Sequence, residues 1–198
     1  MSNINNTSAL ERHIFSLFRA PASNVKPCAT ATIADAYIYI TTSERARKAT
    51  NGLRAIDDRD EARRYKTTHF DFACFSGTFS HRSDKSLVCH SGLICLDFDH
   101  VGDARALSDL RRRLLADPYF TTWLLFTSPS GDGLKWVVDI DLDCCDHRTW
   151  FRALQRYVSH TYAFDIDRAC ANESRACFLP YDAEAYIDPS LLPRRGAD

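Results

Sequence analysis

Leu10, Ile14, Leu17 and Phe18 recur at helical spacing in SALERHIFSLF, behind Ser8 with Glu11 three residues on, and predict a capped helix that ends at APASNVKP. Residues 1–7 before it are polar and are expected to be disordered. DAYIYI alternates and predicts a strand, whereas TSERARKATNGL and DDRDEARRYK predict two helices parted by a turn near Asn51 and Gly52. From residue 77 the pattern becomes extended, with GTFSHR and SLVCHSGLICLDFD flanking a polar turn at Ser83 to Lys85. Gly102 or Asp103 caps a helix carrying Leu107, Leu110 and Leu114 on one face. FTTWLLFTS predicts a strand, PSGDG a tight loop and LKWVVDI a further strand. Asp146 caps a helix with Phe151, Leu154 and Val158, and RACFLPY supplies a last strand.

The order from Gly92 is therefore β-α-β-β-α-β, an α+β unit of the ferredoxin-like or RNA-recognition-motif-like (RRM-like) kind. Residues 1–76 form an N-terminal helical and α/β extension and residues 77–190 the RRM-like unit, expected to make one compact module. In such a unit the first strand lies between the third and the fourth, antiparallel to both. Its C-terminal end then adjoins the starts of its neighbours. Asp97 and Asp99, the loop SPSGDGLK and the lead-in FDIDRACANESRACF are expected to meet at one sheet edge.

Strand side chains alternate, so Asp97 and Asp99 share a face while Leu96 and Phe98 point into a helix-covered core. Carboxylates about 6–7 Å apart on a strand repel one another unless a cation lies between them. The pair, expected to be partly exposed, points to a hard divalent metal, Mg²⁺ or Mn²⁺; a solvated strand-end turn is the plainer reading. Gly131 and Gly133 permit a turn whose amides approach phosphate, and Ser128 and Ser130 add hydroxyl donors. Lys135 has the opposite parity to Leu134 and Trp136, so it faces the acids and is placed to meet a triphosphate; a surface lysine after a hairpin loop is the alternative. A two-metal site needs a third acid, and FDID offers Asp165 and Asp167, the latter nearer the last strand. Arg175 follows as a phosphate or template contact, or as a salt-bridge partner of Asp167 or Asp182.

Composition narrows the classes. At 198 residues and 45% hydrophobic the chain supports a sizeable core. It has no apolar run long enough to span a membrane and no secretory leader pattern at its start, so a soluble cytoplasmic protein is expected. The net charge of −1 excludes a basic wrapper of nucleic acid, so any polyanion site is local. Twenty arginines against five lysines favour bidentate phosphate contacts, and Glu44 to Lys66 holds eight basic residues against five acidic. That segment reads as a basic helical face or as an ordinary solvated one. The eight cysteines form no C-x2-C pair, and no zinc is expected.

LDFD, then SPSGDGLK, then IDRACANESRACFLPYD resembles the three-motif signature of the archaeo-eukaryotic primase superfamily. The run YKTTHFDFACFSGTFSHRSDKSLVCHSGLICLDFDH is similar to its VirE N-terminal domain-like branch, primase-like modules often fused to helicases on mobile elements. The likeness runs from about Ile14 to Tyr186, with Lys135 where the superfamily commonly has His. It implies a DNA primase or primase-polymerase that joins NTPs or dNTPs on a single-stranded DNA template by two-metal phosphoryl transfer, with a helicase as partner. Asp97, Asp99 and Asp167 would be catalytic and hold Mg²⁺ or Mn²⁺; Ser128, Ser130, Gly131, Gly133, Lys135 and Arg175 would bind the nucleotide. Gly77, Phe79 and Arg82 lie in the most branch-specific stretch, and Arg82 would be a further nucleotide contact or an ordinary exposed hairpin arginine. The competing readings are an inactive nucleic-acid-binding module and a metal-dependent nuclease using the same acids. A rolling-circle initiator is disfavoured because no H-x-H occurs.

Overall fold

The computed structural model describes residues 13–192. Along them run β1 (Phe15–Phe18), β2 (Ala29–Ala31), α1 (Ile33–Thr42), α2 (Glu44–Arg54), α3 (Arg59–His69), β3 (Phe72–Cys74), β4 (Gly77–Phe79), β5 (Leu87–His90) and β6 (Leu93–Phe98). These are followed by α4 (Ala104–Leu115), β7 (Leu124–Thr127), β8 (Leu134–Asp139), α5 (His147–Tyr162), β9 (Cys177–Phe178) and β10 (Tyr186–Ile187). The protein is an α+β fold of antiparallel sheets. One sheet has the order β2-β1-β3-β9, a second the order β10-β7-β8-β6, and β4 and β5 form a separate ribbon.

The second sheet is a wall between two cores. On one face Ile94, Leu96 and Phe98 of β6 and Leu134, Trp136 and Val138 of β8 pack on Leu110 and Leu114 of α4 and Phe151, Leu154 and Val158 of α5. On the other, Leu93, Phe126 and Val137 meet Phe15 and Ala73 of the first sheet and Ile33, Ala36 and Ile40 of α1. This period-2 division follows the sequence parity. The second core draws on both sides of position 76, so the N-terminal extension and the unit after it share one interior. Asp71, 5% exposed, ties the helical layer to the first sheet. Its carboxylate accepts from Ala20 N (2.9 Å), Arg19 (2.7 Å), Tyr39 Oη (3.0 Å) and Arg45 (3.2 Å). Burial works against this carboxylate, but those donors outweigh it and hold its pKa below the usual value.

Three expectations are corrected. DAYIYI is helical. Thr32 and Asp35 form a reciprocal capping box, and the buried positions Ile33, Ala36 and Ile40 follow a helical stripe, while Ile38 is 51% exposed. Alternation of Tyr and Ile imitated a strand because a tyrosine on a helix flank is half-buried whichever element carries it. The second half of SALERHIFSLF is strand β1, and its first half, with the Ser8 cap and Leu10, lies outside the described residues, as does the disorder expected for residues 1–7. Phe15, Ser16 and Phe18 of β1 are all buried, so both its faces are covered and its apolar run mimics helical spacing. Finally, RACFLPY does not add a strand beside β6. Among the described residues β6 pairs with β8 alone, and β9 pairs with β3 through Phe72↔Phe178 and Ala73↔Cys177. Edge contacts of Phe178 with Phe70 and Phe72 favour that choice.

Among the described residues no helix is long and apolar enough to cross a membrane. A pair of substitutions checks the α1 assignment, because Ile38 and Ile40 would share a face in a strand but not in a helix. Ile40→Ala is expected to cost about 2–5 kcal/mol and Ile38→Ala less than about 0.5 kcal/mol in urea unfolding. Equal losses would contradict the helix.

Candidate functional site

Asp97 follows Leu93 and Cys95 on the face of β6 turned away from α4 and α5, and it is 9% exposed. Burial is thus deeper than expected for this acid. Asp99 lies just past the strand end and is exposed. The segment between α5 and β9 reaches this end because Asp167 N donates to Asp97 O (3.2 Å). Buried Ile166 anchors it from below. One carboxylate oxygen from each of Asp97, Asp99 and Asp167 lies within 4.8 Å of the others. Asp165 is exposed and outside the group.

β6 and β8 run antiparallel with Asp97 opposite Lys135. The Lys135 ammonium contacts Asp97 Oδ1 and lies 3.9 Å from Asp99, and the lysine is 7% exposed. Burial opposes its charge, yet the fields of Asp97 and Asp99 prevail and raise its pKa above the usual lysine value. Burial and the neighbouring Asp99 push Asp97 upward, against the pull of Lys135. The lysine faces the acids, as its parity requires, but its ammonium is engaged within the site. Beside the pair is a space of ≈ 20 Å³ lined by Asp97, Lys135, Asn172 and Arg175, with Cys95 and Cys177 behind, room for a water or one small ion.

The loop after β7 is shaped by its own backbone. Ser128 N donates to Gly133 O (2.8 Å) and Gly131 N to Ser128 O (2.9 Å), with Gly131 at φ +88°. A Cβ on Gly133 would lie 2.3 Å from Phe98 O, so only glycine lets the loop seat against the end of β6. Asp132 fastens the other side through His100 Nδ1 (2.8 Å) and by its carbonyl to Val101 N (2.8 Å). Ser130 is exposed, whereas the Ser128 hydroxyl is buried with no hydrogen-bond partner among the described residues.

Arg175 donates to Asp167 (2.6 Å), which is the salt-bridge reading of this residue. Arg82 does not join the cluster. Its guanidinium donates to Ala22 O (2.8 Å) and lies 5.4 Å above the Phe72 ring, because the turn after β4 folds back onto residues 22–25. Gly77 and Phe79 serve the β4–β5 ribbon, where a Cβ on Gly77 would meet Cys89 O at 2.3 Å.

Supporting residues come from elsewhere in the chain. Arg54, at the end of α2, donates to Pro129 O (3.2 Å) and Ser128 O (3.4 Å) and braces the loop. Asp84 accepts from Ser174 N (3.0 Å) and its hydroxyl (2.6 Å), fixing the approach to Arg175. Gly92 N donates to His90 Nδ1 (2.9 Å), which puts the proton of that ring on Nε2, toward His147 Nδ1 (3.1 Å). His147 Nε2 in turn donates to Cys170 O (3.3 Å), in the 3-10 turn Arg168–Ala171 that Asp167 caps. These contacts join residues far apart in sequence and leave no local pattern, so sequence reasoning had no signal for them.

A family model described as BT4734-like, N-terminal domain, matches residues 64–187. No curated protein and no solved structure matches the chain.

Two measurements follow from this geometry. Asp97→Asn and Lys135→Met each strand a partner of a buried ion pair and are expected to cost about 3–5 kcal/mol. The double variant should lose markedly less than the sum in urea unfolding, and simple additivity would contradict the pairing. Burial first, then the neighbouring His147, lowers the His90 pKa to about 4, and burial lowers that of His147. Protons therefore bind the unfolded rings more readily, near pH 6.5, than the folded ones. The stability contributed by the neutral pair is complete above about pH 6.5 and is lost as the pH falls toward 4. Thermal unfolding across that window should show the decline, and His90→Gln should flatten it.

Proposed function

The chain belongs to the BT4734-like N-terminal domain family, and we propose that it is a metal-dependent nucleotidyltransferase of the primase-polymerase kind. It resembles the VirE N-terminal domain-like branch of the archaeo-eukaryotic primase superfamily. The observation that carries this reading is the convergence of Asp97, Asp99 and Asp167, from two distant segments, to within 4.8 Å. The placement of β8 between β6 and β7, with α4 and α5 on one face, supports an RRM-like core for it.

The donor set fits the metal, for three carboxylates offer only hard oxygen ligands, the set suited to Mg²⁺ or Mn²⁺. Asp97, Asp99 and Asp167 would hold the ions, which when bound supply charge neutralisation to a triphosphate and activation of a 3′-hydroxyl. Lys135 keeps Asp97 ionised between turnovers. Arg175 orients Asp167 and offers its remaining donors to phosphate. The exposed Ser130 hydroxyl presents a donor on the loop that Gly131 and Gly133 shape. The substrates are NTPs or dNTPs and the template is single-stranded DNA.

One observation favours a second reading. The Lys135 ammonium already neutralises Asp97, as befits a module that binds nucleic acid without catalysis. Incubation with template, labelled NTPs or dNTPs and Mg²⁺ or Mn²⁺ separates the two. Incorporation is expected, and Asp99→Asn and Asp167→Asn should each reduce it by about 100-fold or more, while Asp165→Asn leaves it near wild type. Template binding without incorporation would establish the second reading, and template degradation a nuclease.

A further inference from the structure

α3 is an eleven-residue helix with no buried residue. A helix so lightly packed gains little from the core, and its outer face carries Arg59, Arg63 and Arg64, all exposed. None of these, nor Lys48 on the facing helix α2, forms an ion pair among the described residues. In a chain of net charge −1, the eight basic and five acidic residues from Glu44 to Lys66 concentrate positive charge on this one hairpin. Between α2 and α3 lies an open groove of ≈ 470 Å³ lined by Arg45, Lys48, Tyr65 and His69 among others. Tyr65 is wedged over Gly52, and its ring stacks on His69 at a centroid separation of 3.8 Å and an interplanar angle of 8°. At the other end of α2, Arg54 holds the loop at Ser128 and Pro129, so the helix that lines the groove also braces the loop beside the acidic site.

We propose that the α2–α3 groove binds single-stranded nucleic acid and delivers it to the acidic site, with Lys48 and Arg45 on backbone phosphates and the exposed His69 ring, backed by Tyr65, as a stacking platform for a base. An exposed flat ring beside exposed cations is the combination that single strands recognise, because every base has a face to stack while phosphates recur along the backbone. A protein partner with an acidic surface would use the cations but leave the ring stack idle. Arg45 divides its charge between Asp71 and the groove, and Asp71 is already matched by Arg19, so the guanidinium retains donors for phosphate. As the route of a template this rests on the nucleotidyltransferase reading; as a binding site it does not.

Fluorescence anisotropy with a labelled oligothymidylate of about 16 nucleotides, in EDTA and without nucleotide, tests the groove apart from any chemistry. Lys48→Ala is expected to weaken binding about fivefold to tenfold and to reduce the slope of log affinity against log salt by about 0.7. His69→Ala should abolish the preference of the wild-type chain for the oligothymidylate over an abasic strand of equal length, a readout that loss of charge alone leaves unmoved. If both groove variants bind like wild type while nucleotide incorporation persists, the groove assignment is wrong and the proposed reaction stands. If binding depends on Lys48 and His69 but incorporation is absent, the reaction fails and the groove stands. No oligonucleotide binding by the wild-type chain, or equal binding of heparin and of the abasic strand, overturns the proposal.

Discussion

The buried contact between Asp97 and Lys135 is the constraint on which the site depends. Each residue lies on a strand whose neighbouring positions fill a hydrophobic core. Sliding β8 by one residue along β6 would turn the lysine toward α4 and α5, where Trp136 now packs, and leave Asp97 without its partner. A buried charge without its partner costs about 3–5 kcal/mol, a large share of the 5–15 kcal/mol that holds a typical domain together. The pair therefore fixes register. With Asp97 opposite Lys135, Phe98 falls opposite Leu134, and the loop before β8 must close beneath Phe98 O, where Gly133 has no side chain to obstruct it. Loop shape and acid position are thus two results of one alignment.

The charges around that alignment are unbalanced. Three carboxylates face one ammonium and one guanidinium, both engaged at short range. Asp167 has further work, since it caps the turn Arg168–Ala171 through Ala169 N (2.9 Å). Its position is set by backbone geometry as much as by charge. That arrangement holds a half-buried acid in place without a metal, and leaves the exposed Asp99 as the member with most freedom to reorient.

Elements whose ends carry chemistry were legible in the sequence. Asp103, one of two candidates, and Asp146 cap the helices that follow them, and the parity of LICLDF divides the core from the acids. Asp167 rather than Asp165 joins the other acids, but it is brought there by its N–H to Asp97 O and not by a last strand beside β6. Illegible features were those decided by distant partners. Nothing local tells Cys177 and Phe178 to leave β6 for β3, or tells a lysine facing two acids that it will be buried with them. The same holds for Arg54, Asp84 and the histidine relay, each of which meets its partner across a long loop of chain. DAYIYI failed for another reason. Its capping box was present in Thr32 and Asp35, but a six-residue window began after the cap and saw only alternation.

Because the second sheet stands between two cores, consecutive residues of β8 answer to different neighbours. Trp136 sits among α4 and α5, and Val137 beside it among α1 and the first sheet, both at 0% exposure. A change of volume at either is felt on one side only, yet any compensating shift of the strand displaces the other side. Sequence drift in such a wall must be matched twice, whereas the surface of α3 can vary without disturbing packing. Change is accordingly cheapest on the α2–α3 hairpin and dearest in the strands, so the geometry of the three acids persists while the hairpin surface varies.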